Sequence, residues 1–313
     1  MTRGTTGAAL EGGSARVESP RFSIVTASFN QASFLEETLR SVRAQARADV
    51  EHLVIDGGST DGSVDILRAH DDTLVYWRSV RDAGQSSAWN EGARRSRGTI
   101  IGFLNSDDVF RDSALDEIAR LADANPRADW LIGGTDYFGD GSRSLSYPGR
   151  SPRRVSDVMY FTTYAPQPGQ FFARELVERV GPFDESLTFS FDFDFFVRCA
   201  LAGAKPASTE RIVAGFRFHG ASKTVTLDDT QRTETRLVEA RYWPEIERRE
   251  GWRARRARDV YHGSFALGDV RTLIATGRRM EALSALRTIV TTYPRVVATR
   301  AFAGTVQRLL GWR

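Results

Sequence analysis

Short apolar runs that stop at polar or glycine-rich turns constrain the fold of this chain more than any other sequence feature. Four of them follow one another, at residues 22–28, 51–55, 73–78 and 99–104. The segments between them place apolar residues at the three-to-four-residue spacing of a helix. A chain in which strands and helices alternate predicts an α/β fold, with a mostly parallel sheet wound with helices.

The remainder of the chain is less regular. Residues 113–124 have helical spacing, whereas residues 142–168 show weak periodicity and predict loops and short elements. Beyond residue 225, helical stretches alternate with turns. We therefore predict a flexible tail over residues 1–20, an α/β domain over 21–225 and a basic helical extension over 226–313.

Positive charge is concentrated at the carboxyl end. Residues 241–313 contain 15 Arg and 6 Asp or Glu, whereas the net charge of the whole chain is +3. This excess lies outside the predicted α/β domain, and we predict no nucleic-acid partner from it. Contact of the basic helices with an anionic membrane or a partner is one interpretation, and a charged face in water is the other.

Nothing in the sequence predicts passage through a membrane. No apolar run approaches the roughly 20 residues that span a bilayer, and residues 1–20 lack the apolar core of a signal peptide. We expect a soluble cytoplasmic protein, peripheral at the inner membrane face if the basic helices bind lipid. The one cysteine, Cys199, excludes an internal disulfide, and its apolar helical surroundings predict a buried structural thiol.

Two adjacent carboxylates, Asp107 and Asp108, follow the fourth apolar run closely. Ligands of α/β sheets bind where the carboxyl ends of the strands meet. Adjacent carboxylates repel each other unless a cation joins them, so a divalent metal with oxygen ligands is one interpretation of this turn. The alternative is a solvated turn in which Asp112 caps the next helix.

The second apolar run ends at Asp56-Gly57-Gly58-Ser59. The two glycines would let the backbone approach a ligand closely, and Asp56 could accept a hydrogen bond from a nucleobase or a ribose hydroxyl. A tight glycine loop stabilised by its own aspartate is the alternative. The chain has neither a Gly-x-Gly-x-x-Gly fingerprint after its first strand nor a P-loop, so those two modes of nucleotide binding are not predicted.

Asp192 and Asp194 lie in an aromatic segment, residues 189–196. On a strand the two carboxylates would share a face, whereas on a helix they would diverge by about 160°. Aromatic surroundings desolvate a carboxylate and raise its pKa, which suits a general base; the alternative is a capping role, mainly for Asp194. His219 closes a later strand, where it is either a metal ligand or a packed histidine.

Five motifs, in order along the chain, resemble those of family 2 glycosyltransferases, which have the GT-A fold. They are TASFN at 26–30, VIDGGSTDGS at 54–63, DAGQ at 82–85, LNSDD at 104–108, and FRFH at 216–219 followed by Ser222-Lys223. The resemblance spans residues 21–225 and leaves residues 226–313 outside. It implies a GT-A domain with a helical carboxyl-terminal extension.

The resemblance also implies a nucleotide site, by position. Its residues would be Thr26, Ser28, Asn30, Asp56, Gly57, Gly58, Asp82, Gln85, Asn105 and Ser106. Asn105 stands where many members of the family have Asp. That departure removes one charge from the site but leaves contact with the ribose open.

A metal site and a catalytic base are implied in the same way. Asp107 matches the metal-binding position, with His219 as a second ligand and Asp108 as a weaker candidate. Asp192 matches the catalytic base, preceded here by Phe191 where the family usually has Glu or Met. Asp194 could share the role of the base.

The resemblance implies a metal-dependent inverting glycosyltransferase of the hexosyltransferase type, with Mn²⁺ or Mg²⁺ as cofactor. It would move a sugar from a nucleoside-diphosphate sugar, with a UDP- or dTDP-sugar favoured, to a hydroxyl of a glycan, polysaccharide or lipid-linked acceptor. Residues 142–168 would recognise that acceptor. Two alternatives remain: a non-catalytic nucleotide-sugar-binding protein on the same fold, and a nucleotidyltransferase, although the Gly- and Lys-rich phosphate loop expected of the latter is missing.

Overall fold

The computed structural model describes residues 10–140, 145–161, 166–220, 222 and 228–310, and the chain divides into two compact units. The first unit comprises residues 1–152 and 163–238, and the second comprises residues 153–162 and 239–313. The main division therefore falls at residue 238, inside a helix, rather than at the expected residue 225. Ten residues from the middle of the chain also belong to the second unit.

The first unit is built on one ten-stranded sheet. The strands are β1 Leu10–Gly12, β2 Phe22–Ser28, β3 Val50–Asp56, β4 Tyr76–Ser79, β5 Ile100–Asn105, β6 Val109–Phe110, β7 Trp130–Gly139, β8 Ser146–Tyr147, β9 Gln170–Ala173 and β10 Pro206–Phe218. Their order across the sheet is β1-β4-β3-β2-β5-β9-β7-β10-β6, and β8 pairs with β7.

Helices connect these strands and form the carboxyl-terminal part of the chain. They are α1 Ala32–Arg43, α2 Ser63–Ala69, α3 Gln85–Arg95, α4 Ala114–Ala124, α5 Val155–Met159, α6 Arg174–Val180, α7 Phe191–Leu201, α8 Asp228–Glu250, α9 Trp252–Ala275, α10 Arg279–Thr292 and α11 Arg300–Leu310. Two 3₁₀ turns, Gln167–Gly169 and Pro294–Ala298, complete the described elements. The segment predicted as loops, 142–168, contains β8, α5 and the first of these turns, while residues 141–144 and 162–165 lie outside the described residues.

The predicted α/β fold is confirmed. The four predicted strands are β2, β3, β4 and β5, and they are parallel neighbours in the order β4-β3-β2-β5. Antiparallel pairing occurs where the short strand β9 runs between β5 and β7, and at the short strands β1, β6 and β8. The sheet is therefore mixed, and its longest pairings, between β7 and β10 and between β2 and β3, are parallel.

Burial of both faces explains why the central strands read as continuous apolar runs. Every residue of β2 is buried. One cluster, which includes Phe22, Ile118 and Phe171, packs α4 against the sheet, and a second, around Leu67 and Trp77, holds α1 and α2. Each fully buried side chain of this size contributes roughly 2 kcal/mol. The carboxyl ends of the strands are therefore carried by a rigid platform.

The amino-terminal segment is more ordered than its composition predicts. Strand β1 pairs antiparallel with β4, and the N–H of Gly13 donates to Oδ1 of Asp71 over 2.7 Å. The part of the predicted tail at Leu10–Gly12 therefore forms a strand, because backbone pairing does not depend on apolar composition. Residues 1–9 lie outside the described part of the chain.

In the second unit, the predicted carboxyl-terminal helices are present. Helices α9, α10 and α11 pack around Leu267, Val270, Ile289 and Val296. Within the residues that the structure describes, no helix combines the length and apolarity needed to cross a membrane.

The carboxylates of Glu239 and Glu250 hold the inserted helix α5 within this unit. Oε1 of Glu239 accepts hydrogen bonds from the Tyr160 hydroxyl over 3.1 Å and from Nε2 of His262 over 3.0 Å. The carboxylate of Glu250 accepts from the backbone N–H groups of Val155 and Ser156, at the amino terminus of α5. A carboxylate at that position satisfies N–H groups that the helix itself leaves unpaired.

Candidate functional site

The carboxyl ends of β2, β3 and β5 open into a cavity of about 700 Å³ in the first unit. The structure brings together nine of the fourteen predicted site residues along its wall: Ser28, Gly57, Gly58, Asp82, Gln85, Asn105, Ser106, Asp107 and Asp192. The other five, Thr26, Asn30, Asp56, Asp108 and His219, are not among its lining residues. The strands are parallel, so their ends meet at one edge of the sheet, as ligand sites of α/β proteins require.

Asp107 and His219 form a pair beside this cavity. Oδ2 of Asp107 lies 3.0 Å from Nε2 of His219. The histidine is buried, and its ring packs 4.4 Å from the ring of Phe34, centroid to centroid. Packing fixes the imidazole, so the nitrogen that faces the carboxylate has a defined position.

Asp108 has a different environment from its neighbour. Its Oδ1 accepts the backbone N–H of Arg217 over 2.9 Å, and its Oδ2 accepts Nδ2–H of Asn105 over 3.1 Å. Burial raises the pKa of the Asp108 carboxyl well above its usual range, and the adjacent Asp107 carboxylate adds to the rise. Asp108 therefore holds the turn together, and the structure does not bring this weaker metal candidate to the cavity.

Hydrogen bonding gives a physical reason for asparagine at position 105. Its Oδ1 accepts from Nε2 of Gln85, and its Nδ2 donates to Asp108. An ionised aspartate at this position would have no hydrogen to donate and would repel Asp108. The amide thus links α3 to the turn that carries Asp107 and Asp108, here called the carboxylate turn. The same side chain borders the cavity.

Arg217 holds the carboxylate turn from the other side. Its Nε donates to the backbone carbonyl of Asp107 over 2.8 Å, and its Nη2 donates to Oε2 of Glu37 over 2.6 Å. The guanidinium lies 4.3 Å from the ring centroid of Phe138. Through the bond from Nε, Arg217 fixes the backbone that carries Asp107.

Asp192 and Asp194 lie on helix α7, so their carboxylates diverge. Asp192 lines the cavity, where its Oδ1 accepts the N–H of Phe193 over 2.7 Å. Asp194 is fully buried, and its Oδ2 accepts from Nε of Arg198 over 2.7 Å. The helical geometry separates a cavity carboxylate from a structural one and does not support a shared role for Asp194.

The glycine turn after β3 reaches the cavity through its backbone, whereas Asp56 does not. Both carboxylate oxygens of Asp56 are occupied: Oδ2 accepts from the N–H of Ser59 over 2.8 Å and from Oγ of Ser79 over 2.6 Å, and Oδ1 accepts from Oγ of Ser59. Gly58 has φ +84°, and an added Cβ would lie 2.9 Å from the backbone nitrogen of Arg81. The contacts of Asp56 therefore agree with the second interpretation of this segment, a tight glycine loop stabilised by its own aspartate.

Thr26 and Asn30 serve neighbouring elements in the structure. Thr26 is fully buried, and its Oγ1 lies 2.9 Å from Nε2 of the buried His52. Burial, and to a smaller extent the charge of His70, lowers the pKa of His52 to about 3. Asn30 has φ +52°, and its Oδ1 accepts the N–H of Thr60 over 2.9 Å. Neither side chain contacts the cavity, so the geometry lends no support to direct nucleotide contacts by these two residues.

Asp82 stands at the edge of the cavity beside the glycine turn. Its Oδ1 accepts the N–H of Gly84 over 2.9 Å, and an added Cβ on Gly57 would lie 3.2 Å from the same oxygen. Burial raises the pKa of Asp82. The hydrogen bond from the N–H of Gly84 and the positive charge of Arg78 act in the opposite direction. Gly84 has φ +117° and opens α3, a backbone conformation that favours glycine.

Several lining residues were not predicted from the sequence. They include Phe29, Gln31, Arg81, Trp89, Gln167, Phe191 and Phe216. The sequence contains a signal for Trp89. Gln85, Ala88 and Trp89 follow helical i, i+3, i+4 spacing, and all three line the cavity. Ser222 of the last motif also lines it, while Lys223 lies outside the described residues. Cys199 is buried, as predicted.

Comparison with known proteins agrees with this architecture. The family model described as glycosyl transferase family 2 matches residues 23–181, half of the chain. A Mycobacterium tuberculosis protein described as an uncharacterized glycosyltransferase is 30% identical over 204 residues, which cover 64% of this chain and 76% of that protein.

Solved structures share the fold at low sequence identity. S. aureus TarS 1-349, in complex with UDP-GlcNAc, matches with a TM-score of 0.61 and 16% identity, over 92% of this chain and 89% of that one. The mannosyltransferase PcManGT from Pyrobaculum calidifontis, in complex with GDP-Man and Mn²⁺, matches with a TM-score of 0.51 and 16% identity, over 93% and 84% of the two chains. The fold is therefore GT-A-like, and the chain belongs to glycosyl transferase family 2.

Proposed function

We propose that the protein transfers a sugar from a nucleoside-diphosphate sugar to an acceptor hydroxyl, with inversion at the anomeric carbon. The observation that carries this proposal is the wall of a single cavity. It contains the carboxylate of Asp107, which His219 contacts, the separate carboxylate of Asp192, and the glycine turn at Gly57 and Gly58. A nucleotide, a cation and a base would each find suitable groups there.

The donor atoms of Asp107 and His219 fit a divalent cation in part. Among the described residues, no group of three or more His, Cys, Asp or Glu side chains could hold an ion. One carboxylate oxygen and one imidazole nitrogen would leave positions open for donor phosphate oxygens and water, as is common for Mg²⁺ and Mn²⁺. The nitrogen ligand favours Mn²⁺ over Mg²⁺. When bound, the ion would neutralise charge that develops on the departing diphosphate.

Asp192 acts as the general base in this proposal. Its carboxylate would accept the proton of an acceptor hydroxyl as that oxygen attacks the anomeric carbon, on the face opposite the diphosphate. The bond between the anomeric carbon and the diphosphate oxygen breaks as the new glycosidic bond forms. Hydrogen bonding of Oδ1 to the N–H of Phe193 orients the carboxylate at the amino terminus of α7.

The donor is proposed as a UDP- or dTDP-sugar, and the acceptor as a glycan or a lipid-linked saccharide. A screen of UDP-, dTDP- and GDP-sugars by thermal unfolding, with and without Mn²⁺, tests the donor. A donor present at about 100 times its Kd should raise Tm by roughly 3–6 °C, since it binds only the folded state. If no nucleotide sugar shifts Tm, this donor class is excluded.

Product analysis separates the proposal from its two alternatives. A non-catalytic binding protein would show the Tm shift without releasing nucleoside diphosphate when acceptors are added. A nucleotidyltransferase would release pyrophosphate from a nucleoside triphosphate and a sugar 1-phosphate. The proposed enzyme should release nucleoside diphosphate and form a glycoside, whose anomeric configuration, opposite to that of the donor, can be read by NMR.

A basic and apolar stripe on α10 supports a second proposal, contact with an anionic membrane surface at the inner membrane face. Met280, Leu283, Arg287 and Val290 recur at helical spacing and are all exposed, with Met280 at 78%. Ala282 and Ile289, on the other side of the helix, are buried. The surrounding arginine excess supplies charge that complements anionic lipid, while the apolar side chains can enter the headgroup layer.

Vesicle sedimentation tests this membrane contact. The double variant Arg279→Gln/Arg287→Gln should bind phosphatidylglycerol vesicles about thirtyfold more weakly, at about 1 kcal/mol per arginine. The matched control is Arg43→Gln/Arg94→Gln, which removes the same charge from exposed positions of the first unit. Equal binding by the two double variants would refute a specific role for α10.

A further inference from the structure

We propose that Gln167 accepts a hydrogen bond from a hydroxyl of the sugar moiety of the donor, and so contributes to sugar specificity. This inference rests on the proposed function, because it presumes that a nucleotide sugar occupies the cavity. It assigns a chemical role to a residue from the 3₁₀ turn before β9, which none of the recognised motifs contains.

Unpaired polar atoms point to a ligand in this cavity. Within the part of the chain that the structure describes, four buried side-chain polar atoms have no hydrogen-bond partner, and three belong to residues that line the cavity. These three are Ser28 Oγ, Trp89 Nε1 and Gln167 Oε1. Leaving such an atom unpaired costs about 1–3 kcal/mol. A ligand rich in hydroxyl groups would offset that cost.

The amide of Gln167 has a defined orientation. Its Nε2 donates to the backbone carbonyl of Phe103 in the central strand β5. A carbonyl oxygen can only accept, so the NH₂ group must face Phe103, and Oε1 is the atom left over. The turn is tightly packed, since an added Cβ on Gly169 would lie 2.7 Å from the carbonyl oxygen of Gly133. The unpaired oxygen is therefore a fixed acceptor.

The surroundings of Gln167 suit a sugar ring. The ring of Phe103 lies 5.1 Å from that of Trp89, and Trp89 lies 5.2 Å from Phe191, centroid to centroid. Phe191 is followed by the proposed base, Asp192, and both line the cavity with Trp89 and Gln167. Trp89 and Phe191 make this part of the wall apolar, which suits the C–H groups of a hexose, while an amide oxygen accepts from its hydroxyl groups.

The sheet separates this region from the glycine turn. Gly57 and Gly58 follow β3, whereas Phe103 lies on β5, and β2 runs between these two strands. Two strand spacings correspond to about 10 Å. That separation leaves room for a diphosphate between a nucleoside at the glycine turn and a sugar at Gln167.

Calorimetry on full-length protein tests the inference. The probes are UDP-GlcNAc and GDP-mannose, each compared with its sugar-free nucleotide, UDP or GDP, in the presence of Mn²⁺. Gln167→Met keeps the side-chain length but removes the acceptor. We expect it to weaken binding of the preferred nucleotide sugar about tenfold and to leave the affinity for the bare nucleotide unchanged within about twofold.

A matched control uses Gln170, three residues further along. Its Oε1 accepts Nε1–H of Trp130 over 2.9 Å, and it does not line the cavity. Gln170→Met should lower Tm but preserve the preference for the nucleotide sugar over the nucleotide. If Gln167→Met lowers Tm as well and leaves that preference intact, Gln167 is structural and the inference is overturned.

Monodeoxy donor analogues identify the hydroxyl and separate this inference from the proposed function. With the correct analogue, wild type and Gln167→Met should bind equally, because the hydrogen bond is already absent. If Gln167→Met binds every analogue more weakly than wild type by the same factor, the inference is overturned while the transferase activity stands. If wild type binds nucleotide sugars no more tightly than bare nucleotides, there is no sugar contact to assign and the inference also falls. Absence of any transfer by wild type would instead refute the proposed function.

Discussion

Oδ2 of Asp107 lies 3.0 Å from Nε2 of His219, although 112 residues separate the two in sequence. If they hold a cation together, Asp107→Asn should abolish the increase in nucleotide affinity that Mn²⁺ produces, a loss of at least about tenfold. Calorimetry with UDP, with and without Mn²⁺, measures it. Asp112→Asn, at an exposed position five residues further on, serves as control. Undiminished Mn²⁺-dependent affinity in Asp107→Asn would refute the metal assignment.

Asp192→Asn should reduce kcat at least about a hundredfold, because the amide cannot accept the proton of the acceptor hydroxyl. Nucleotide affinity should stay close to that of wild type. The measurement is the rate of nucleoside-diphosphate release with saturating acceptor, together with calorimetric Kd values. Near-normal turnover would remove Asp192 from the role of base.

Asp194→Asn should instead affect stability. Asp194 is fully buried and pairs with Arg198, whose side chain is 19% exposed. Removing the carboxylate charge leaves the guanidinium poorly compensated, and we expect a loss of about 2–3 kcal/mol in the free energy of unfolding. Urea denaturation measures that loss, and activity per folded molecule should persist. A large loss of kcat at unchanged stability would show that the roles of the two aspartates are reversed.

His52 should make the protein sensitive to mild acid. Its folded pKa is lowered to about 3, so only the unfolded chain takes up a proton as the pH falls below about 6.5. The stability present above pH 6.5 is therefore lost progressively on acidification. Between pH 7.5 and pH 5 the wild type should lose about 2 kcal/mol more than His52→Gln.

Urea titrations at both pH values measure this difference. Thr26→Val removes the hydroxyl partner of His52 but keeps the imidazole, so it should retain the pH dependence of wild type. Parallel stability curves for wild type and His52→Gln would mean that His52 is not the titrating group.

The second unit offers a prediction of its own. Glu250→Gln should lower the free energy of unfolding by about 1–2 kcal/mol, since the amide is a weaker acceptor for the N–H groups of Val155 and Ser156. Glu247→Gln, which alters an exposed ion pair with Arg255, is the control and should change stability by less than about 1 kcal/mol. Thermal unfolding compares the two. Equal losses would argue against a capping role for Glu250.

The fold followed from sequence because the central strands are buried on both faces, so the pattern of residues 22–28 or 99–104 had one reasonable interpretation. Local sequence could not predict that β9 inserts antiparallel between β5 and β7. Nor could it place Leu10–Gly12 at the sheet edge, because that pairing uses backbone groups available to any residue.

Sequence patterns predict the fold better than they predict which side chains reach the cavity, and Asp56 shows the reason. Its position after a strand suggested a ligand contact, but Ser79, which occupies Oδ2, lies 23 residues away in sequence. Thr26 is similar, since its partner His52 comes from the neighbouring strand. Gln167 was missed because its segment lacks periodicity. Side-chain partners brought by distant strands decide which polar residues remain available to a ligand.

The insertion of residues 153–162 into the second unit has a consequence for the order of events on the ribosome. Tyr160 is made 79 residues before Glu239, and Val155 is made 95 residues before Glu250. At about 5–20 residues per second, α5 must wait roughly 4–19 s for its partners. During that interval α5 has no partner in the nascent chain, so we expect chaperones to bind this segment until residue 250 has been made. A chain that ends before residue 250 should fold poorly.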